Sequence, residues 1–325
     1  MKQLKVCRFL LLSMFILLNA LYAEEPKPSP AEKVPFTIIA LPDTQIYSES
    51  FPMLFIKQTE WIRDNREKLN IVAVLHLGDI TNNNTEKEWE NADKALSVLD
   101  DVIPLFLVPG NHDTGPGGGR GNLETEFLDK HFPPSRLEKK PWFGGVFEKN
   151  SIKNAYYFFE ASGIKFMVVC LEFGPRDEVL DWANKIVSEN KDSKVIVVTH
   201  AYMYLDDTRI GPGDAWNPRG YPNGGNDGED IWKKFVSKHA NIFLVHSGHI
   251  LHDGRGRQTS EGEKGNKVHE ILANYQMLAR GGEGWLRILK FDPVAKKIEV
   301  TTYSPDLDKF EEHEENKFEL EYNIK

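Results

Sequence analysis

Cysteine is scarce in this sequence, with only Cys7 and Cys170 among 325 residues. Cys7 lies in an N-terminal segment that we expect to be removed, so the mature chain would have no pair of thiols for an internal disulfide. Cys170 stands in the apolar run at residues 166–171, which predicts a buried strand residue and not a nucleophile. The chain must therefore be stabilised by a hydrophobic core, and it is long enough to bury one.

Positive charge and long apolar runs are also scarce. The formal net charge of −9 excludes bulk binding to nucleic acid through phosphate contacts. The apolar stretch at residues 9–18 is too short to cross a bilayer comfortably. It follows Lys2, Lys5 and Arg8 and precedes Ala23, as is typical of a secretory signal peptide, with an uncleaved anchor as the alternative. Cleavage after residue 23 would leave a net charge of −12 and a secreted or periplasmic protein without a stable membrane span.

The remaining sequence predicts one large α/β domain. Residues 24–34 form a proline-rich spacer, residues 35–305 form the domain, and residues 306–325 form an acidic tail that we expect to be solvated. Apolar strands alternate with segments of helical periodicity, which indicates strands that are buried on both faces. The strands are expected at 36–40, 71–77, 105–108, 156–160, 166–171, 195–199, 242–245, 269–273, 286–291 and 298–303, and the helices at 51–68, 86–100, 122–131, 178–189 and 229–239.

Five short segments place metal-ligand residue types directly after apolar runs. They read LPDTQ, LGDIT, PGNHD, VTHAY and SGHILHDG. Ligands gather at the carboxyl ends of strands in open α/β sheets, so we expect the side chains of these segments to converge. They supply oxygen and nitrogen donors for two adjacent divalent ions: Asp43, Gln45, Asp79, Asn111, His200, His249 and His252.

A pair of cations roughly 3.5–4 Å apart suits phosphoester hydrolysis, because the two ions clamp the negatively charged phosphoryl oxygens. One carboxylate must bridge them. Asp79 is the expected bridge, since Gly78 allows a tight turn that directs the carboxylate outward. Asp43 and Gln45 would bind the first ion, and Asn111, His200 and His249 would bind the second. The sites of these ions are called the first and the second metal site.

The five segments resemble the motifs of calcineurin-like metallophosphoesterases of the secreted bacterial type, which read D-x-H, G-D, G-N-H-[DE], a lone H, and G-H-x-H. The resemblance extends from about residue 36 to residue 303. It implies a four-layer α/β/β/α sandwich of two mixed sheets flanked by helices. It also implies two divalent ions, which are Mn²⁺, Fe²⁺ or Fe³⁺, Zn²⁺ or Mg²⁺, and attack of a metal-bound hydroxide on a small phosphoester, either a monoester or a diester.

The same resemblance implies that His112 is a general acid or stabilises the transition state. Some family members orient this histidine with an acid three residues beyond the bridging aspartate, where this chain has Asn82. The next residue, Asp113, is expected to brace its loop through hydrogen bonds to backbone groups.

Two departures from the family pattern affect the first metal site. Gln45 stands where the family has a histidine, and Leu251 stands at the second histidine of the last motif, with His252 one residue later. The first ion would be held by Asp43, Gln45, Asp79 and water, or also by His252, with Asp253 as a further alternative. These departures keep a second functional hypothesis open, namely a non-hydrolytic metal- or ligand-binding protein on the same fold.

Substrate recognition is expected from two long polar loops. The glycine-rich loop at residues 114–122 carries Arg120, and the loop at residues 206–230 carries Arg219 and Tyr221. These three residues are the candidates for substrate contacts, and the alternative is that they belong to ordered surface loops.

Overall fold

The computed structural model describes residues 33–322. The signal peptide expected at residues 1–23 lies outside the described residues, as do most of the spacer and residues 323–325. Within residues 33–322, no helix is both long enough and apolar enough to cross a membrane.

The described residues form fourteen strands and seven α-helices. All ten strands and all five helices expected from the sequence are present. The strand ends shift by at most two residues, whereas the helices expected at 86–100, 122–131 and 229–239 are each four residues shorter than predicted. The strands are β1 Phe36–Leu41, β2 Ile71–His76, β3 Leu105–Leu107, β4 Phe143–Val146, β5 Ala155–Ala161, β6 Ile164–Leu171, β7 Lys194–Thr199, β8 Ile242–Ser247, β9 Arg255–Glu261, β10 Lys267–Ala273, β11 Leu286–Asp292, β12 Lys297–Ser304, β13 Lys309–Phe310 and β14 Phe318–Glu321. The helices are α1 Gln45–Ser50, α2 Pro52–Leu69, α3 Glu86–Leu96, α4 Glu126–His131, α5 Asp177–Glu189, α6 Gly228–Lys234 and α7 Ala279–Gly282.

The strands form two mixed sheets of seven strands each. The first has the order β13-β12-β11-β1-β2-β3, with β14 paired to β12, and the second has the order β4-β5-β6-β7-β8-β10-β9. Strands β1, β2 and β3 are parallel, and so are β6, β7, β8 and β10. Each sheet therefore has a group of strands whose carboxyl ends lie at one edge.

The two sheets pack face to face through aromatic and aliphatic side chains. Phe36 of β1 meets Phe166 of β6 edge to face, with 5.5 Å between the ring centroids. Along β6, the side chains alternate between this inter-sheet core and a second core that contains residues of α5 and α6. Helix α2 packs on β1 and β2 of the first sheet, and α3 packs against α2. The architecture is the two-sheet sandwich flanked by helices that the sequence predicts.

The C-terminal segment differs from the expected solvated tail. Phe318–Glu321 forms an antiparallel edge strand against β12, and Phe318 and Tyr322 are buried. The apolar side chains of this segment alternate with acidic residues. The acidic composition therefore predicted a solvated tail, although the segment forms a strand with one buried face.

Candidate metal centre

The residues singled out in the sequence follow strands whose carboxyl ends meet between the two sheets. Asp43, Asp79 and Asn111 follow the parallel strands β1, β2 and β3 of the first sheet. His200 and His249 follow the parallel strands β7 and β8 of the second sheet. Backbone pairing in both sheets thus places these side chains at one edge, as the sequence predicts.

Three of these side chains form a buried cluster with the composition of a metal site. The ligand atoms of Asp79, His200 and His249 all lie within 4.8 Å of one another. Nε2 of His200 is 3.2 Å from Oδ2 of Asp79. The exposed fractions of all three residues are 5% or less. One carboxylate and two imidazoles at this spacing are a suitable donor set for a transition-metal ion.

Backbone carbonyls fix the orientation of both imidazoles. Nδ1 of His200 donates a hydrogen bond of 2.7 Å to the Leu77 carbonyl, and Nε2 of His249 donates one of 2.8 Å to the Trp216 carbonyl. A carbonyl oxygen can only accept, so the second nitrogen of each neutral ring is left unprotonated. Such hydrogen bonds are typical of histidines that bind metal ions.

Burial and neighbouring charges shift the pKa values within the cluster. Burial lowers the pKa of His200, but the nearby carboxylates of Asp79 and Asp43 outweigh it and raise the pKa to about 9. Burial lowers the pKa of His249 to about 3. Burial raises the pKa of Asp43 to about 7, although His200 opposes this shift. A metal ion would thus replace a proton on His200 at neutral pH.

Two buried acceptor atoms at the site have no hydrogen-bond partner among the described residues. They are Oε1 of Gln45 and Oδ1 of Asn111. Leaving a buried acceptor unsatisfied costs about 1–3 kcal/mol, so such atoms call for another partner. Amide oxygens are ligands for divalent cations, and together with the carboxylate and imidazoles of the cluster they form a donor set that fits the metal ions implied by the sequence.

The absence of side chains at Gly110 and Gly248 leaves room for the carboxylates of Asp79 and Asp43 at the site. A Cβ atom on Gly110 would lie 2.1 Å from Oδ1 of Asp79, and one on Gly248 would lie 2.2 Å from Oδ1 of Asp43. Asp79 and His249 themselves have φ angles of 48° and 72°, which are uncommon for residues other than glycine. The loops after β2 and β8 therefore hold a strained backbone where the candidate ligand side chains emerge.

Comparison with known proteins identifies the family. The sequence profile described as calcineurin-like phosphoesterase matches residues 36–253, about two thirds of the chain, including the whole buried cluster. The chain belongs to the calcineurin-like phosphoesterase family.

Two curated relatives support this assignment at the sequence level. YvnB of Bacillus subtilis strain 168, an uncharacterised protein, is 33% identical over 296 residues, which cover 89% of this chain and 21% of YvnB. The probable glycerophosphodiester phosphodiesterase GpdQ of Arcobacter nitrofigilis is 28% identical over 130 residues, which cover 39% of this chain and 40% of that protein. The aligned part of the chain thus spans about a fifth and about two fifths of the lengths of these relatives.

Solved structures share the fold at low sequence identity. The purple acid phosphatase PPD1 of yellow lupin, Lupinus luteus, aligns with a TM-score of 0.52 at 13% identity over 90% of this chain and 55% of PPD1. A dimetal phosphatase from Danio rerio aligns with a TM-score of 0.51 at 13% identity over 91% of this chain and the whole of that chain. These alignments confirm the metallophosphoesterase sandwich.

Gln45 is held so that its carbonyl oxygen remains free. Its Nε2 donates a weak hydrogen bond of 3.4 Å to Oδ1 of Asn82, and its Oε1 is buried without a partner. A free, neutral oxygen donor is therefore present where the family motif has an imidazole. Its assignment as a metal ligand stays a prediction that the geometry favours.

We predict that Gln45→His shifts the metal preference of the first site. Oxygen donors favour manganese, magnesium or calcium, whereas imidazole favours zinc or iron, so the substitution should raise the zinc and iron content and tighten that site. Elemental analysis after identical dialysis and reloading with mixed metals measures the ratio. Gln45→Glu is the matched control, because it supplies another hard oxygen donor and should retain the wild-type preference. An unchanged metal ratio in Gln45→His would show that residue 45 does not contact the ion.

His252 is not brought into the buried cluster. It is exposed, has a φ angle of 66°, and packs its ring against Trp216 at a centroid distance of 5.5 Å. The neighbouring Asp253 hydrogen-bonds to Arg255 through the backbone and the guanidinium. Neither residue is placed to complete the first site in this structure, which leaves Asp43, Gln45, Asp79 and water as the alternative that agrees with the geometry.

His112 is oriented by a main-chain carbonyl. Its Nδ1 donates a hydrogen bond of 2.7 Å to the carbonyl of Asn82, and its backbone N–H donates one of 2.9 Å to Oδ1 of Asp79. The orienting group at Asn82 is thus the backbone and not an acidic side chain. Burial lowers the pKa of His112, but Asp79 and the Asn82 carbonyl outweigh it, so the net shift is upward. An upward shift favours the doubly protonated ring that an acid requires.

Asp113 braces the two loops that carry Asp79 and Asn111, as the sequence predicts. Its carboxylate accepts hydrogen bonds from the backbone N–H groups of Ile80, Thr81 and Gly110 at 2.7–2.9 Å, and from the Thr81 hydroxyl at 2.9 Å. The residue is fully buried.

Asp113→Asn is therefore expected to lower the free energy of unfolding by about 1–3 kcal/mol, because the amide NH₂ leaves buried N–H donors without an acceptor. Denaturant unfolding of the metal-free protein measures this effect. Glu124→Gln, which makes the same chemical change at an exposed loop position, is the control and should have little effect. Equal stability of Asp113→Asn and wild type would contradict the bracing role.

The candidate substrate residues have different environments. Tyr221 is close to the cluster, with its ring centroid 4.9 Å from that of the buried Phe173 and 6.0 Å from that of His249. Phe173 also packs against His200 and was missed in the sequence, since an aromatic residue after a strand carries no specific signal. Tyr221 and Phe173 together form one wall of the site.

The two candidate arginines differ in their partners. Arg219 donates from Nε to the buried carboxylate of Asp227 at 2.8 Å and also pairs with Asp230. Arg120 is exposed, has no carboxylate partner among the described residues, and follows Gly119, which lies beside the His112 ring. The charge of Arg219 is thus already compensated within its loop, and its contact with substrate stays a prediction that this pairing disfavours.

We predict opposite phenotypes for the two arginines. Arg120→Ala should raise KM by roughly tenfold to a hundredfold without changing stability, because a charge-assisted contact to phosphate is worth about 1.5–3 kcal/mol. Arg219→Ala should instead lower the melting temperature, because it leaves the buried Asp227 with fewer donors. Steady-state kinetics and thermal unfolding of both variants separate the roles. Loss of stability in Arg120→Ala with unchanged KM would reverse the assignment.

Proposed function

We propose that this chain hydrolyses phosphoesters at a centre of two divalent metal ions. The observation that carries the proposal is the buried cluster of Asp79, His200 and His249 beside the unpaired oxygens of Gln45 and Asn111. A site without a cation would leave these acceptors unsatisfied. Membership of the calcineurin-like phosphoesterase family supports the same chemistry.

The donor atoms divide into two sets that share Asp79. Asp79, Asn111, His200 and His249 would hold the second ion, and Asp43, Gln45 and Asp79 the first. When bound, the ions would polarise the phosphoryl oxygens and lower the pKa of a coordinated water. Burial of the carboxylates and imidazoles keeps these donors fixed in position and shielded from solvent.

The residues outside the ligand sets would bind the substrate and protonate its leaving group. Nδ1 of His112 is committed to the Asn82 carbonyl, so Nε2 is the atom that would protonate the leaving alkoxide. Arg120 offers an uncompensated positive charge on the same side, next to Gly119. Tyr221 adds a half-buried hydroxyl that Asp79 influences electrostatically. A small phosphoester, either a monoester or a diester, fits this set of groups.

One assay tests the proposal. The metal-free protein is supplied with manganese and given bis-p-nitrophenyl phosphate or p-nitrophenyl phosphate, with magnesium and zinc in parallel. Turnover of either compound supports hydrolysis, and the ratio of the two rates separates a diesterase from a monoesterase. Metal binding without turnover of any phosphoester would favour the non-hydrolytic alternative. The exposed position of His252 agrees with that alternative, because it leaves the first site without an imidazole.

A further inference from the structure

The contact between His249 and Trp216 joins the metal centre to a long surface loop. Nε2 of His249 lies 2.8 Å from the Trp216 carbonyl oxygen. The carbonyl can only accept, so it places the proton of the neutral ring on Nε2 and leaves Nδ1 as the metal-binding nitrogen. The wrong tautomer would direct an N–H group at the ion. The position of one carbonyl therefore determines whether His249 can bind a metal ion.

The backbone at Trp216 is held in an uncommon conformation to make this contact. Its φ angle is 58°, in the left-handed region that residues other than glycine, asparagine and aspartate rarely adopt. A bulky aromatic residue in this region costs free energy, and such strain persists only where the surrounding structure imposes it. Trp216 therefore does not adopt this conformation through its own preference.

The surrounding structure that imposes the conformation is the Trp216 loop, which we define as residues 206–227. Nδ2 of Asn217 donates to the Gly211 carbonyl at 2.7 Å and to Oδ2 of Asp227 at 3.2 Å. Arg219 closes the same side through its hydrogen bond to Asp227. The buried Asp227 thus holds Asn217 and Arg219, which lie one and three residues beyond Trp216, so the loop is anchored by its own polar side chains.

The His249 ring is also confined by aromatic neighbours. Phe173 packs edge to face against it at a centroid distance of 5.0 Å, and His200 does so at 4.9 Å. These contacts restrict the plane of the ring, but they do not distinguish its two nitrogens. Selection of the tautomer therefore depends on the carbonyl.

We propose that Trp216 is a positioning residue for the metal centre: the Trp216 loop holds its carbonyl so that His249 presents an unprotonated Nδ1 to the second ion. The inference rests on the ligand role of His249 in the proposed function, but not on catalytic activity. It predicts that the affinity of the second site depends on the backbone conformation at residue 216 and not on the indole ring.

Two substitutions at Trp216 separate backbone from side chain. Both Trp216→Asn and Trp216→Val remove the indole, but asparagine tolerates a φ angle near 58°, whereas a β-branched residue does not. Changes to the hydrogen-bond partner of a ligating histidine weaken metal binding by about 10- to 100-fold. We expect Trp216→Val to weaken the second site by this factor and Trp216→Asn to bind metal almost as wild type does. Calorimetric titration of the metal-free proteins with Zn²⁺ measures both affinities.

A direct measurement of the tautomer completes the test. Nitrogen-15 NMR of the metal-free wild type and Trp216→Asn should show the His249 proton on Nε2, and Trp216→Val should show a mixture of tautomers. If Trp216→Val does not fold, Asn217→Ala replaces it, because it loosens the loop while leaving residue 216 unchanged and should weaken Zn²⁺ binding in the same direction.

Equal Zn²⁺ affinities of Trp216→Asn and Trp216→Val would overturn the proposal, as would equal affinities of Trp216→Asn and Asn217→Ala where the latter replaces Trp216→Val. A proton on Nδ1 of His249 in the wild type would also overturn it. Failure of phosphoester hydrolysis would not change these measurements, so the two proposals fail separately.

Discussion

Replacing His112 by alanine is expected to lower kcat by roughly 10²- to 10⁴-fold while the metal content stays the same, since this is the usual contribution of one general acid. The geometry explains why the two effects separate. The His112 side chain bonds to the Asn82 carbonyl, whereas only its backbone N–H contacts Asp79. Alanine keeps that N–H and removes the ring. The measurement is kcat together with elemental analysis of the same preparation.

His112→Asn is the matched control for this variant. Its side-chain amide can still donate to the Asn82 carbonyl, but it cannot transfer a proton at neutral pH. It should therefore be as slow as His112→Ala and at least as stable. Loss of metal from the alanine variant would show that His112 is a ligand or a structural residue. Recovery of turnover in the asparagine variant would show that positioning, and not proton transfer, is the role of the ring.

Replacing Asp79 by asparagine should remove both metal ions together. The carboxylate is buried, accepts the His112 N–H through Oδ1 and faces Nε2 of His200 through Oδ2. In the proposed two-ion centre, the substitution removes the one carboxylate that both ligand sets share. We expect the affinity for each ion to fall by more than the roughly 10- to 100-fold seen for changes outside the ligand shell, with turnover lost at ordinary metal concentrations.

The control for the bridging role is Asp43→Asn. The proposed function assigns Asp43 to the first ligand set alone, so its amide variant should lose the first ion and retain the second. Metal titration of both variants by calorimetry gives the stoichiometry of each. If Asp79→Asn still holds two equivalents, the bridging assignment is wrong.

The fold was predictable where strands are buried on both faces. Central strands such as β1 and β7 are nearly continuous apolar runs, and their pattern distinguishes them from loops. The missed strands lie at or near sheet edges, where one face meets solvent. Strand β4 contains two glycines, β9 carries mainly polar residues, and β14 has acidic residues beside its buried Phe318. Their pairing partners, and not their own composition, define them as strands.

The site was predictable as far as residue type carries the chemistry. Asp79, His200 and His249 come together because each follows a parallel strand. The sequence predicts these strands from the apolar run that precedes each residue. The carbonyls of Asn82 and Trp216 orient two of the histidines. Every residue has a main-chain carbonyl, so residue type does not predict these two contacts. In the same way, Arg120 and Arg219 look alike as sequence, and only the spatial position of Asp227 separates them.

The most direct test of the dinuclear hydrolase is turnover of bis-p-nitrophenyl phosphate, or of the monoester if that is the better substrate, as manganese is added to metal-free protein. The protein concentration must lie well above the metal dissociation constants, so that added ions bind stoichiometrically. The two ligand sets that share Asp79 predict a rate that rises to a plateau at two equivalents per chain. A plateau at one equivalent, or metal binding without turnover, would contradict the two-ion centre proposed from Asp43, Gln45, Asp79, Asn111, His200 and His249.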